Sequence, residues 1–470
     1  MKTGNASPPP GRKGCRVWYN PSAMANTDIL SFGAAGDGAT LCTKPIQAAI
    51  DACAASGGGT VTVPPGVFLT GTLYLRSHVN LRLEHAATLR GSPDLADYNP
   101  PDAYPQNFDC AVSEGWNARH LVIAAGVEDV ALSGTGTIDG NGRAFFARPE
   151  TMPPPGEISW RRGFLNAADR KNAVRPGQTV VFVECRDVSI ADVSLVDATC
   201  WTLFLHGCDR VRVRGLSIRS DDRHANTDGI DIDCCRHVTV SDCVIDTGDD
   251  AITLRGDCHH LGDPSRVCED IAVANCVSHT ACCGVRIGVG TGAIRDAVFS
   301  NLVMCDAGYG IQIQCGYGRS TTKGADISGL RFENIVCRRT AVPLRICAGT
   351  GHAKARLEDI VVAHCSLEGF FGVEIAGNAL MRPRGIRLHD VDFAVCRPDV
   401  PLRLEKMPES FIRVDKADDI AFDGVRIGFA PDAGRRPALA LGDVGGIPPS
   451  IEDGEAVALG DSPGPFIVYG

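Results

Sequence analysis

Two short stretches each carry three carboxylates: "NTDGIDID", Asn226 to Asp233, and, thirteen positions later, "DTGDD", Asp246 to Asp250. Like charges packed together repel and raise one another's pKa, which costs stability unless a bound cation or a catalytic role offsets it. Three chemistries fit: a solvated acidic face, a metal site, or an acid and base pair. Acidic runs are most often solvated loops, so what distinguishes the three is where the rest of the chain positions these groups.

The 470 residues are 44% hydrophobic and 22% charged, enough to bury a large core. A net charge of -10 argues against nucleic acid and anionic membrane as partners. No run of about eighteen apolar residues is present to span a bilayer. The opening "MKTGNASPPPGRKGCRVWYN" has no apolar core segment of a secretory signal. The chain as given is therefore expected in the cytoplasm, or in the periplasm or outside the cell if a signal has been removed. The 21 cysteines form an odd set without CxxC pairs or zinc-type Cys/His spacing. Many sit in apolar strand patterns, so they are expected to be reduced and buried. No metal and no cofactor is expected, and nothing in the pattern bears on oligomeric state.

A repeat organises the chain. A polar residue or Gly, then apolar, any, apolar, any, any, apolar recurs from Asp187, Arg210, His237, Asp270, Asp296, Gly329, Asp359, Gly385 and Asp419, with weaker copies from His78 and Asp129. From Asp187 onward the copies start 23 to 34 residues apart, the period of a solenoid. Each alternates with period two and is rich in Val and Ile, so the unit is a strand. The expected fold is all-β, a right-handed parallel β-helix. Residues 27-430 are expected to form it, with 1-26 an irregular N-terminal segment and 431-470 an irregular C-terminal tail packed on the helix. "TKPIQAAIDACAAS" supplies an N-terminal capping helix: Thr43 at the N-cap, and Ile46, Ala49, Ile50 and Cys53 on one face. The segment from Arg143 to Gln178 is too long for a coil turn and is expected to overhang one face.

The repeat turns spacing into geometry. A second strand lies between copies, and in it Ile230 and Ile232, then Ile252 and Leu254, then Val285 and Ile287 should point inward. The residues between them form one external column: Phe204, Asp231, Thr253, Arg286, Gln312, Arg345 and Glu374. Three residues earlier runs a second column: Trp201, Asp228, Asp250, Cys283, Tyr309, Val342 and Phe371. Coils stack about 4.8 Å apart, so Asp228 and Asp250 should stand on neighbouring coils with Asp249 beside them, at the mouth of a groove. Carboxylates placed so suit hydrolysis of a glycosidic bond, one protonated to donate to the leaving oxygen and another ionised to activate water. Separations of about 6.5–9.5 Å go with inversion and about 5–5.5 Å with retention. Trp201 and Tyr309 are candidates to hold a sugar ring. Asp231, Asp233 and Asp246 are expected to bond turn backbone.

These residues resemble the polygalacturonase family, family 28 of the glycoside hydrolases. "FGAAGDGAT", "GGGTVTVPPGVFLTGTLYLRSHVNLRLE", "GTGTIDGNG", "NTDGIDI" and "TGDDAITLR" are similar to its landmarks. The resemblance implies a right-handed β-helix that hydrolyses α-galacturonosyl bonds with inversion. Asp249 would be the general acid, and Asp228 and Asp250 the pair that activates water. Two landmarks are altered. "CCG" stands where the family has Gly-His-Gly, with Cys283 in the histidine's place, and "QIQ", Gln312 to Gln314, stands where it has the Arg-Ile-Lys that meets the substrate carboxylate. A glutamine hydrogen-bonds a hydroxyl but does not neutralise a uronate. Arg286 and Arg345, one coil to either side of Gln312, are the expected replacements, with Arg255 a third candidate and Asn226 a further contact.

The expected function is thus hydrolysis of pectin-type, galacturonate-containing glycan, possible as exo-action if the long loop closes the groove. A hydrolase of a neutral glycan is the nearest alternative. A calcium-dependent lyase is the rival reading of the acidic cluster, and a non-catalytic glycan-binding β-helix, of the adhesin or tail-fibre kind, is the rival of another class. The expected partner in every case is a carbohydrate.

Overall fold

The structure, a computed structural model, describes residues 25–100, 119–146, 174–259, 261–317, 323–349, 355–396, 410–431, 433, 436–446 and 456–458. All strand pairing recorded between coils is parallel, in one 25-stranded sheet and one 13-stranded sheet. In the smaller sheet the strands follow chain order, each pairing with its counterpart one coil on. The molecule is a right-handed parallel β-helix, and the inward columns read from the sequence are its core: Ile230, Ile252, Val285, Ile311, Leu344 and Val373 are all buried.

What makes the repeat repeat is its first residue. All eleven copies, from His78 to Asp419, begin on a residue of positive φ, between 51° and 68°. This left-handed conformation costs most L-residues roughly 1–2 kcal/mol and is cheap for Gly, Asp and Asn, which is why the position is polar or Gly. Five residues on, each of the nine copies from Asp187 turns again through a left-handed residue: Asp192, Gly215, Asp242, Asn275, Asn301, Asn334, His364, Asp390 and Gly424. On either side of the second corner run paired segments such as Arg236–Ser241 and Val244–Thr247. Along the second corner the side-chain amides bond in sequence: Asn275 to Asp242 at 3.3 Å, Asn301 to Asn275 at 3.1 Å and Asn334 to Asn301 at 2.7 Å.

The helix Thr43–Ala55 buries Ile46, Ala49, Ile50 and Cys53, the face expected of a cap. Its N-cap is Cys42, not Thr43. Thr43 is the first helical residue, and its hydroxyl instead accepts the Gly71 N–H at 2.7 Å, tying the helix to the first full coil. The sheets also run past residue 430: Leu439–Leu441 pairs with Ile412–Asp415, and Ala456–Ala458 pairs with Leu439–Leu441. The expected tail therefore contains further rungs, which Pro- and Gly-rich sequence conceals because the edge strands are only three residues long. Residues 1–24, 147–173 of the overhanging segment, and most of 447–470 lie outside the described residues. Every described cysteine is a free thiol, and all but Cys282 and Cys396 are buried.

Asn301 tests the corner. Asn301→Gly loses the amide ladder alone, whereas Asn301→Val also forces a β-branched residue into the left-handed region, so Val should be the less stable by about 1–2 kcal/mol. Urea denaturation midpoints of the two variants measure this.

Candidate active site

The external columns are formed as the register requires. Phe204 pairs with Asp231, Asp231 with Thr253, Thr253 with Arg286, Arg286 with Gln312, Gln312 with Arg345 and Arg345 with Glu374. In the second column the carbonyl of Asp228 accepts the Thr202 N–H, that of Asp250 the Gly229 N–H and that of Cys283 the Ala251 N–H, each at 2.8 Å. These ladder bonds set Asp228 and Asp250 on adjacent coils. Gly229 is needed between them, since a Cβ there would lie 2.4 Å from the Ala251 carbonyl oxygen.

Asp228, Asp249 and Asp250 are buried, and one carboxylate oxygen of each lies within 4.8 Å of the other two. Asp249 is oriented by two backbone N–H groups: Asn226 donates to one oxygen and Asp250 to the other, each at 3.0 Å. Its carbonyl accepts from the Thr247 hydroxyl at 2.7 Å and from the Thr280 hydroxyl. Asn226 presents its N–H from a left-handed backbone with φ 57°, a conformation asparagine adopts readily. Asp250 pairs with the Arg286 guanidinium and also accepts the Cys283 N–H at 3.2 Å. The three oxygens are closer together than the gap that houses water between two inverting carboxylates. Two carboxylates side by side on neighbouring coils can instead hold one water in front of them.

Several expected substrate contacts have other occupations. Arg286 is tied to Asp250, and Arg345 to Glu374 at 2.8 Å, both buried. Arg255 lies between Asp231 at 3.5 Å and Asp233 at 3.6 Å. The replacement of the Arg-Ile-Lys cations by Arg286 and Arg345 is thus offset by carboxylates that the same register brings alongside. Gln312 and Gln314 form a neutral chain with the thiol: Cys283 Sγ lies 3.0 Å from Gln312 Oε1, and Gln312 Nε2 donates to Gln314 Oε1 at 2.8 Å. Trp201 is 2% exposed, packs edge-on against Phe204, and carries the Arg255 guanidinium over its ring at 4.1 Å. It is core packing, not an open sugar platform. Tyr309 packs with Cys283, Val342 and Phe371, with the Arg345 guanidinium 5.9 Å from its ring. Asp233 does bond turn backbone, accepting the Asp257 N–H at 2.8 Å. Asp246 lies within a strand and pairs with His279 at 3.0 Å, so it caps no turn.

Three supporting residues carry no motif and are visible only in the fold. Arg175 is buried and donates to the Thr199 carbonyl at 2.7 Å and to Asn226 Oδ1 at 3.2 Å, bracing the residue that orients Asp249. Thr227 donates to the His224 carbonyl at 2.9 Å and accepts the Gly248 N–H at 3.1 Å, joining the two acidic loops. His224 stacks on Phe146 at 4.0 Å between ring centroids, and burial lowers its pKa to about 4.

The acidic trio could also hold a cation, but calcium takes six to eight oxygens, and Arg286 already supplies positive charge to Asp250. Asp231, fully buried beneath them, has its pKa raised well above the carboxylate range by burial, and further by Asp250, Asp249 and Asp233, against the pull of Arg255. A raised folded pKa favours the protonated carboxyl. The associated stability is present at low pH and is lost as pH rises from the unfolded value of about 3.9 through the folded one. Asp231→Asn removes that loss. Between pH 4 and pH 7 the variant's urea midpoint should therefore gain steadily on the parent's, the difference flattening below pH 4.

Residues 53–259 match the family described as "Glycosyl hydrolases family 28". A probable polygalacturonase of Vitis vinifera is 26% identical over 304 residues, 63% of this chain and 58% of that protein. The exo-poly-alpha-D-galacturonosidase of Dickeya chrysanthemi is 28% identical over 347 residues, 67% of this chain and 55% of that protein. The chain thus spans less than two thirds of the length of either relative. Among solved structures, the family 28 exopolygalacturonase of Yersinia enterocolitica aligns with TM-score 0.67 at 20% identity, covering 89% of this chain and 78% of that one. The order Asn-Thr-Asp then Gly-Asp-Asp, on adjacent coils of a parallel β-helix and inside the matched segment, agrees with these likenesses to family 28 of the glycosyl hydrolases.

Proposed function

We propose that the chain is an inverting glycoside hydrolase of pectin-type, galacturonate-containing glycan. The observation that carries the hydrolytic reading is the convergence of Asp228, Asp249 and Asp250 within 4.8 Å on neighbouring coils; inversion rests on a water held in front of Asp228 and Asp250, not on the separation. Asp250, paired with Arg286, and Asp228 are the pair placed to activate water. Asp249 takes the acid role. A glycan seated in the groove excludes water, which strengthens the repulsion from its two carboxylate neighbours against the N–H groups that favour its ionised form. Exo-action is supported by the exo-acting names of two of the proteins compared above.

Asp249→Asn should lower kcat/KM on oligogalacturonate by about 10²–10⁴-fold, the usual worth of a general acid, in a reducing-end assay. Proton NMR of early products should show the inverted anomer and, for exo-action, only the shortest product. A retained anomer would refute the three-aspartate water mechanism. An unsaturated product would point to a lyase.

A second reading, within the first, concerns the subsite beside Asp250. Among the described residues the neutral Cys283–Gln312–Gln314 chain stands next to Asp250, and the flanking Arg286 and Arg345 are engaged with carboxylates. That chemistry favours a ring whose substituent is uncharged, whether an esterified uronate or a neutral sugar. Methyl-esterified or mixed oligosaccharides should be cut faster than the free acid, and the double substitution Gln312→Arg, Gln314→Lys should shift the preference toward the acid. Equal rates on both substrates for the parent would remove this reading and leave the hydrolytic one standing.

A further inference from the structure

On the larger sheet, away from the acidic groove, the amide ladder of Asn275, Asn301 and Asn334 stops at His364, which takes the next left-handed corner. Asp390 occupies the corner after it, and His389 precedes Asp390 on the strand Arg384–Val395. Each imidazole has a carboxylate on Nδ1: Glu333 at 3.3 Å from His364, and Asp423 at 2.8 Å from His389. An ionised carboxylate is acceptor only, so each Nδ1 carries the proton and each neutral ring turns the lone pair of Nε2 away from its partner.

Both Nε2 atoms face the same oxygen. His364 Nε2 lies 3.7 Å and His389 Nε2 3.4 Å from Asp390 Oδ2. Both are longer than the Nδ1 contacts that the same two rings make with Glu333 and Asp423. The His389 distance matches the spacing of two ligands on one tetrahedral zinc ion, which bonds of about 2.0–2.1 Å set at roughly 3.3–3.4 Å, and the His364 distance exceeds it by about 0.3 Å. The ligand atoms of all three residues lie within 4.8 Å of one another. No described lysine or arginine forms an ion pair with Glu333, Asp390 or Asp423, so with neutral histidines the cluster carries three uncompensated negative charges. All three ligands are about half exposed, which leaves room for ion entry and a water in the fourth position.

We propose that His364, His389 and Asp390 form a binding site for a divalent transition metal, zinc by ligand type, with Glu333 and Asp423 as the carboxylates that orient the two imidazoles. Because Glu333, His364, Asp390 and Asp423 lie on four successive coils, the ion staples the stack where the asparagine ladder ends. The site is independent of glycan cleavage.

The test uses the full chain, stripped with chelator and then titrated with zinc chloride by calorimetry. One ion per chain is expected, with a higher thermal midpoint at saturation and no response to magnesium. His364→Ala and His389→Ala should each weaken binding at least tenfold, while Asp249→Asn, in the groove, and Cys282→Ala should leave it unchanged. Cobalt(II) on the unaltered chain gives a readout that does not depend on a variant folding: visible d–d bands of tetrahedral strength without thiolate charge transfer are expected. Binding lost in Asp249→Asn or Cys282→Ala but kept in the histidine variants would overturn the proposal, as would thiolate bands or no binding at all.

Discussion

Every functional distance in this molecule descends from the parallel hydrogen-bond ladder between coils. The bonds from Thr202 to Asp228, Gly229 to Asp250 and Ala251 to Cys283 fix the register at the acidic trio. A slip of one residue would turn Ile230 and Ile252 outward and Asp231 and Thr253 into the core, so burial of one face specifies where the carboxylates stand. Crowding three acids within 4.8 Å is tolerated because the energy that holds them there comes from the ladder and from the inward apolar columns.

The same register also decides what the acids meet. Stacked columns bring Arg286 against Asp250, Arg255 against Asp231 and Asp233, and Arg345 against Glu374. Arg413 continues the alternation, with Glu374 on one side at 3.3 Å and Asp415 on the other at 3.1 Å. Charges that look available in a linear reading are thus neutralised across coils, with Gln312 and Gln314 as the uncharged interval. Burial makes these pairs costly to break.

Much of this was legible because a β-helix is nearly one-dimensional. Counting residues from Asp187 to Asp419 placed both columns correctly, and the polar or Gly position that opens each copy reflects a left-handed backbone that few residues adopt cheaply. Arg175, Thr227 and His224 were not legible. They act from loops, whose conformations have no period, and they reach the site through backbone carbonyls and ring stacking that any residue sequence could disguise. Trp201 misled for a related reason: column membership says which way a side chain leaves the strand, not whether Phe204 and Arg255 then cover it.

The alternation of apolar residues and the spacing of copies determined, by themselves, the strand unit, the solenoid, and the neighbourhood of Asp228, Asp249 and Asp250, because side-chain direction in a strand is a local property. Only the tertiary structure decided which charges cancel, that Asp231 is buried beneath the trio, and that His364, His389 and Asp390 converge on one point. Those outcomes depend chiefly on distances between residues 22 to 39 apart in sequence on separate coils, and such distances are set by stacking and corner geometry, not by any local pattern.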